Sequence, residues 1–346
     1  MAGRTLHDRD ALLEIVKSKD VQKIYGPPES TPIERMAGLF TASVFSWVYY
    51  LAPAYFFFVL PYLLIFRLTS LSTYVILAPM MISAALPAFK VCQPAVLGSW
   101  IMAQMPKYFD YVEVLEIDDE NLAALAKQRP LILAVQPHGV FSYGGVCSAV
   151  INYSSPIRPA IVHMFPTAVA SVLLSFPIMK HVLSIFGLVD ASKKSMIKMC
   201  QKGKCMVLYV GGIAELFMSS SKKEAIKSRT GFIRLAMQQG ADVVPLYLFG
   251  NTTALNVLKL PVLEKISRSM GASMTVFWGL FGTPCPLPKA VTYVRGKPLG
   301  LPKVENPTDE QVDEWHKKYV AEVKRIFDTY KHLNPDYANK DLTIVP

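Results

Sequence analysis

LILAVQPHGVFSYGG, residues 131–145, is a run of aliphatic side chains that stops abruptly at a proline, a histidine and a glycine. An apolar run of this length bounded by turn residues reads as a buried strand. Open α/β sheets bind ligands beyond the carboxyl ends of their strands, so the end of this strand would present His138 at the mouth of a sheet. Pro137 restricts the backbone on one side of the histidine and Gly139 frees it on the other. An imidazole held there suits a general base. A lone histidine is more often structural, and on local context the two readings are evenly matched.

Working outward, residues 119–128 (DENLAALAKQ) read as a short helix feeding this strand, and 160–164 as a second strand. Residues 168–185 are apolar with Pro177 interrupting, which suits a buried or a substrate-facing helix. Residues 195–202 form a helical pattern ended by Gly203, followed by a strand at 205–210 and the turn Gly211–Gly212. The segment SSSKKEAIKSR, 219–229, reads as a polar, basic loop. A helix at 231–239 is stopped by Gly240, and 243–249 is another apolar strand. Strands alternating with helices at this interval predict an α/β fold with a largely parallel sheet flanked by helices. Residues 251–305, rich in proline and glycine, give no clear pattern. After them Thr308 and Gln311 make a capping box, and Val312, Trp315, Tyr319, Val323, Ile326 and Tyr330 recur at helical spacing, which predicts an amphipathic helix at 308–332.

The 346-residue chain is 52% hydrophobic and only 18% charged, which is apolar for a wholly soluble enzyme. The excess sits near the N-terminus. Residues 1–35 are polar and read as a cytosolic tail or short helix. Residues 36–66 and 71–89 carry no charge, and Arg67 lies between them. A bilayer crossing needs about 20 apolar residues, so 36–89 reads as a membrane hairpin of two helices, kinked at Pro53 and Pro61. Arg35 before it and Lys90 and Lys107 after it place both ends on the cytosolic side. The remainder, 90–346, is then a catalytic domain facing the cytosol. The formal charge of +10 suits an anionic membrane surface or a phosphorylated substrate. Nucleic acid is disfavoured, because no arginine-rich tract or nucleic-acid-binding motif accompanies the charge. Five scattered cysteines without a CxxC pair argue for free thiols and against a zinc site. Two sequons, at Asn152 and Asn251, would accept glycans only in a lumenal segment.

Besides His138, three further features are candidates for chemistry, and one of them fails. Ser142 fails as a hydrolase nucleophile, since the elbow requires glycines two residues to either side and only Gly144 complies. Nucleotide-binding glycine loops are missing as well. Gly211 and Gly212 let backbone approach a ligand, and Glu215 just beyond them could bind a hydroxyl or orient His138; the plainer reading is a tight turn with an exposed glutamate. Lys222, Lys223, Lys227, Arg229 and Arg234 could hold phosphates where a loop enters a helix, or simply form a solvated face.

Taken together these segments resemble the type-2 diacylglycerol acyltransferases with their monoacylglycerol and wax-alcohol acyltransferase relatives. QPHGV at 136–140 looks like that family's HPHG, GGIAE at 211–215 like its GGxxE block, and RTGFIRLAMQQGADVVPLYLFG at 229–250 like its longest signature. The resemblance also covers the C-terminal linker and helix, and the N-terminal hairpin in position and character. The family's first histidine is Gln136 here, which concentrates the chemistry on His138. The resemblance implies a glycerolipid-acyltransferase-like fold and transfer of a fatty acyl group from acyl-CoA to the hydroxyl of diacylglycerol, or of monoacylglycerol or a long-chain alcohol. It places the protein in the endoplasmic reticulum membrane and at lipid droplets, and leaves a homo-oligomer open. Acyl-CoA is a co-substrate, and neither a cofactor nor a metal is required. His138 and Glu215 would be catalytic, with Pro137, Gly139, Gly211, Gly212, Arg229, Gly231, Phe232 and Arg234 contributing to substrate binding. The HX4D dyad of other glycerolipid acyltransferases is missing, because its second position is Tyr143; either Glu215 or a backbone carbonyl is left to orient the ring. A lipid hydrolase and a non-catalytic lipid-droplet anchor are the competing classes.

Overall fold

A computed structural model describes residues 12–345 apart from 13, 16–17, 19, 27–28, 155–164, 220–222 and 271–274. The strand expected at 160–164, and Lys222 of the basic run, lie outside the described residues. In chain order the strands are β1 Lys23–Tyr25, β2 Val112–Leu115, β3 Leu131–Gln136, β4 Thr167–Val169, β5 Leu188–Asp190, β6 Met206–Tyr209, β7 Lys223–Lys227, β8 Asp242–Phe249, β9 Asn256–Val257, β10 Phe277–Trp278, β11 Thr292–Arg295 and β12 Asp341–Val345. Eight of them form one sheet in the order β1-β2-β11-β8-β3-β6-β4-β5. Its pairings are parallel except β1 with β2 and β11 with β8. The fold is therefore mixed α/β, a large and mostly parallel sheet flanked by helices.

Every residue of β3 and β8 is buried, as strands covered on both faces require. Leu131, Leu133 and Val135 point to one core, shared with the helix Tyr143–Ser154. Ile132 and Ala134 point to the other, covered by the helices Gly231–Gln239 and Asp309–Tyr330. The second of these starts as its sequence dictates. Thr308 Oγ1 accepts from the Gln311 N–H, and the Gln311 side chain accepts from the Thr308 N–H. Asp118 caps the helix Asp119–Gln128 in the simpler way, accepting from the Asn121 N–H.

Four segments differ from their expected form. Residues 23–25, within the expected tail, form an edge strand on β2. Residues 168–185 break into a strand end and two short helices, Ser171–Ser175 and Met179–Ser184, on either side of Pro177. The KEAIK of the expected basic loop is β7, which pairs in parallel with β12. There Ala225 and Ile226 enter the core, and the buried Glu224 carboxylate accepts from Thr252 and Ser219 and faces Lys340. Residues 251–305, left unassigned, carry β9, β10, β11 and the helix Pro261–Met270.

One apolar helical run of 35 residues, Pro32–Phe66, is long and apolar enough to cross a membrane, with only 17% of its most apolar window buried. That window is largely uncovered by the domain, although Ala42, Phe45, Val48 and Ala52 of the same run are buried in the core. A π-helical turn, Tyr55–Val59, begins two residues after Pro53, which cannot donate a backbone hydrogen bond. The chain turns at 67–70 into the apolar helix Leu71–Ala85. Only the first part of the long helix meets the domain. Phe45 stacks on Phe141 at 5.3 Å, and the Tyr50 hydroxyl donates to the Phe277 carbonyl at 2.7 Å.

Candidate active site

β3 ends at Gln136, and the next two residues turn the chain away from the sheet. Gly139 takes φ +66°, and a Cβ there would lie 2.5 Å from the Asn251 carbonyl oxygen. Both the conformation and the close approach therefore exclude other side chains. His138 is half-buried at this turn. Its Nδ1 lies 2.7 Å from the Gly139 carbonyl oxygen. A carbonyl only accepts, so Nδ1 carries the proton and Nε2 keeps its lone pair. The ring also meets Tyr209 edge-on at 4.5 Å between centroids. Burial lowers the imidazole pKa below its ordinary 6.5, and the Gly139 carbonyl works weakly against that shift. The ring is neutral at physiological pH.

Glu215 is no exposed glutamate; it is 1% exposed and turned in beneath the histidine. One carboxylate oxygen accepts from the His138 backbone N–H at 2.9 Å. The other accepts from Gln136 Nε2 at 2.8 Å and from the Lys227 N–H at 3.3 Å. Glu215 thus grips the main chain of the histidine turn, and the atom on the ring itself is the Gly139 carbonyl. Gly211 makes room for this, since a Cβ there would fall 2.0 Å from the Glu215 carboxylate. Burial raises the Glu215 pKa to about 7, against the three hydrogen bonds that hold it down.

Two residues undervalued in the sequence complete the frame. Gln136 ties strand, glutamate and C-terminal helix together: its amide donates to Glu215 and to the Lys227 carbonyl, and its Oε1 accepts from the Tyr319 hydroxyl at 2.8 Å. Asn251 reads as a sequon, yet it is 2% exposed and has no room for a glycan. Its amide donates to the carbonyls of Pro137 and His138 and to Ser142 Oγ, and its Oδ1 accepts from the Gly144 N–H. Nothing but the strand-end position of Asn251, one residue after Gly250, signals this role in the sequence. Ser142 also accepts from the Tyr209 hydroxyl at 2.5 Å, which engages it on both sides.

His138 opens into a cavity of about 820 Å³. Gly211, Gly212, Lys227 and Arg229 are among its lining residues, as are Tyr49, Pro53 and Phe57 of the long apolar helix. Of the expected binding residues, Pro137 and Phe232 are buried, and Phe232 packs on Tyr319. Gly231 is exposed at the start of its helix. Arg234 does not line the cavity; it donates to the Pro307 carbonyl and pairs with Asp309 at the start of the C-terminal helix.

A mostly parallel sheet whose histidine turn opens into a large apolar cavity, with one long exposed apolar helix beside it, defines a mixed α/β protein with a candidate site for an apolar ligand. The chain belongs to the diacylglycerol acyltransferase family, whose model matches residues 95–344. It is similar to diacylglycerol O-acyltransferase 2 of Danio rerio, 27% identical over 64% of this chain and 66% of that protein. The Homo sapiens protein of the same name is 28% identical over 65% of this chain and 62% of its own length. The 2-acylglycerol O-acyltransferase 3 of Homo sapiens is 29% identical over 64% of this chain and 71% of that protein. The chain thus spans just under two thirds of the length of the first two relatives.

Proposed function

We propose that the protein is an acyl-CoA:diacylglycerol O-acyltransferase that forms triacylglycerol. The observation that carries this reading is a neutral imidazole, tautomer set by the Gly139 carbonyl, facing an apolar cavity with Lys227 and Arg229 at its side. Nε2 of His138 removes the proton of the acceptor hydroxyl while the oxygen attacks the thioester carbonyl carbon. The carbon–sulfur bond then breaks, and the CoA thiolate recovers the proton from the imidazolium. Backbone N–H groups about Gly139 stabilise the intermediate oxyanion. Glu215, Gln136 and Asn251 hold the turn, and Lys227 with Arg229 bind the phosphates of CoA.

The long apolar helix and Leu71–Ala85 form the membrane hairpin. Both its ends and the catalytic domain are on the cytosolic side of the endoplasmic reticulum membrane, with lipid droplets as a second location. A 2-acylglycerol O-acyltransferase among the relatives favours monoacylglycerol as the second acceptor. Membranes containing the protein, given labelled acyl-CoA with diacylglycerol, monoacylglycerol or a fatty alcohol, should form triacylglycerol most rapidly. His138→Ala should lower that rate about 10²–10⁴-fold. Undiminished ester formation by a folded His138→Ala variant would overturn the mechanism.

A further inference from the structure

The cavity extends further than chemistry at His138 requires. The strand register places Tyr209, Val135, Leu246 and Arg295 in one row across β6, β3, β8 and β11. All four line the cavity. The row starts at Tyr209, whose ring touches His138. It crosses three inter-strand steps at right angles to the strands, about 14 Å in all. Along this arm the walls are apolar, with Leu133 and Leu248 beside the row. At the far end stand Leu122, Tyr293 and a buried ion pair, Arg295 to Asp119 at 2.8 Å with both side chains 2% exposed. Arg295 is also tied to the Ile117 carbonyl.

We propose that this arm is a fatty-acyl pocket with a fixed stop. A chain whose carbonyl end sits at His138 lies across the strands, its methyl end meets Leu122 and Tyr293, and the Arg295–Asp119 pair bars further entry. The inference rests on the acyl-transfer reading above. An apolar slot rewards each added methylene until the stop is reached, and a buried ion pair yields poorly because parting it strands a charge without water. Since the reacting carbonyl is held at one end and the pair at the other, the arm measures chain length. Leu122, at the end, and Leu246, along the wall, are its specificity-determining residues. The chain is either that of the thioester donor or one tail of the acceptor, which have the same chemistry.

Two substrate series separate these sources: acyl-CoA of graded chain length with one acceptor, and acceptors of graded tails with one donor. Leu122→Phe and Leu246→Phe should lower the ratio of long-chain to medium-chain turnover about tenfold or more in one series. Leu122→Ala should move the same ratio the other way, and the series that responds identifies the chain. Turnover with both profiles unmoved in all three variants would overturn the arm while leaving the acyltransferase reading intact. If the wild type formed no ester, that reading would fall. Binding of non-reactive CoA thioethers and of diacylglycerol ether analogues, each of graded chain length, then decides the arm: a length preference in either series that shifts in Leu122→Phe supports it, and unshifted preferences in both overturn it.

Discussion

His138 and Glu215 are perturbed in opposite senses, and their pH signatures separate. Below pH 6.5 an unfolded imidazole takes up its proton before the native one does. The stability linked to His138 is therefore present above 6.5 and lost as pH falls through its lower native value. Glu215, raised from 4.5 to about 7, keeps a proton in the folded state that the unfolded chain has released. Its contribution falls as pH rises through that window. The expected kcat/KM climbs with pH through the native value of His138, under 6.5, and then levels off. That acid limb should persist in Glu215→Gln with lower turnover, because an amide sets a donor against one of the N–H groups the carboxylate accepts. Amide exchange at the His138 N–H should quicken in the same variant. An acid limb abolished by Glu215→Gln would transfer the titration from the histidine to the glutamate. At Asn251, the alanine variant leaves the Gly144 N–H and two carbonyls without their partner, at a cost of about 1–3 kcal/mol measurable by thermal unfolding in detergent. His138 was legible in the sequence because a strand end, a proline and a glycine surround it. Gln136 and Asn251 were not, since a neutral amide looks alike whether it knits a site or faces water, and their partners Tyr319 and Gly144 are identified only by the fold.

Elements whose signals are local are legible in the sequence. β3, β8 and the helices Asp119–Gln128, Gly231–Gln239 and Asp309–Tyr330 carry their apolar period, caps and stops within a few residues. The short strands escaped because their pairing lies elsewhere in the chain: β7 meets β12, and β1 meets β2. A run such as KKEAIK reads as solvated until Lys340 is seen beside Glu224. The same difference between local pattern and tertiary position divides two arginines that the signature RTGFIR makes look equivalent. Arg229 is exposed and lines the cavity, whereas Arg234 fastens the start of the C-terminal helix. Arg229→Ala is expected to raise the KM for acyl-CoA several-fold, leaving the KM for the lipid acceptor and the unfolding temperature almost unchanged. Arg234→Ala should do the reverse, lowering stability by about 1 kcal/mol through the lost hydrogen bonds while sparing both KM values. A selective rise in the acyl-CoA KM in Arg234→Ala would place that guanidinium on the substrate after all.

At the scale of the molecule, the decisive asymmetry is between an ordinary core and an N-terminal helical run that the core does not cover. Ile33, Phe40, Leu51, Phe58, Ile65, Leu71, Val75 and Ile82 are exposed, far more contiguous apolar side chain than water tolerates. Ala42, Phe45 and Val48 on the same run are buried in the domain. The run therefore has an inner part that belongs to the fold and an outer part that the domain leaves uncovered. Removing all of it would expose the core, so the informative variant replaces residues 58–82 with a short polar linker and keeps 32–57. This variant should fold and pass from carbonate-resistant membranes into the extractable fraction. Tyr49, Pro53 and Phe57 of this run line the cavity, so on the proposed function a lipid acceptor is expected to reach His138 from the side of the apolar helix. The linker variant should then retain turnover on acceptor delivered in detergent micelles and lose most of it on acceptor dissolved in vesicles. Equal losses with both forms of acceptor would show that the outer hairpin supports the fold instead of delivering lipid, and continued resistance to carbonate would place the anchoring surface elsewhere on the protein.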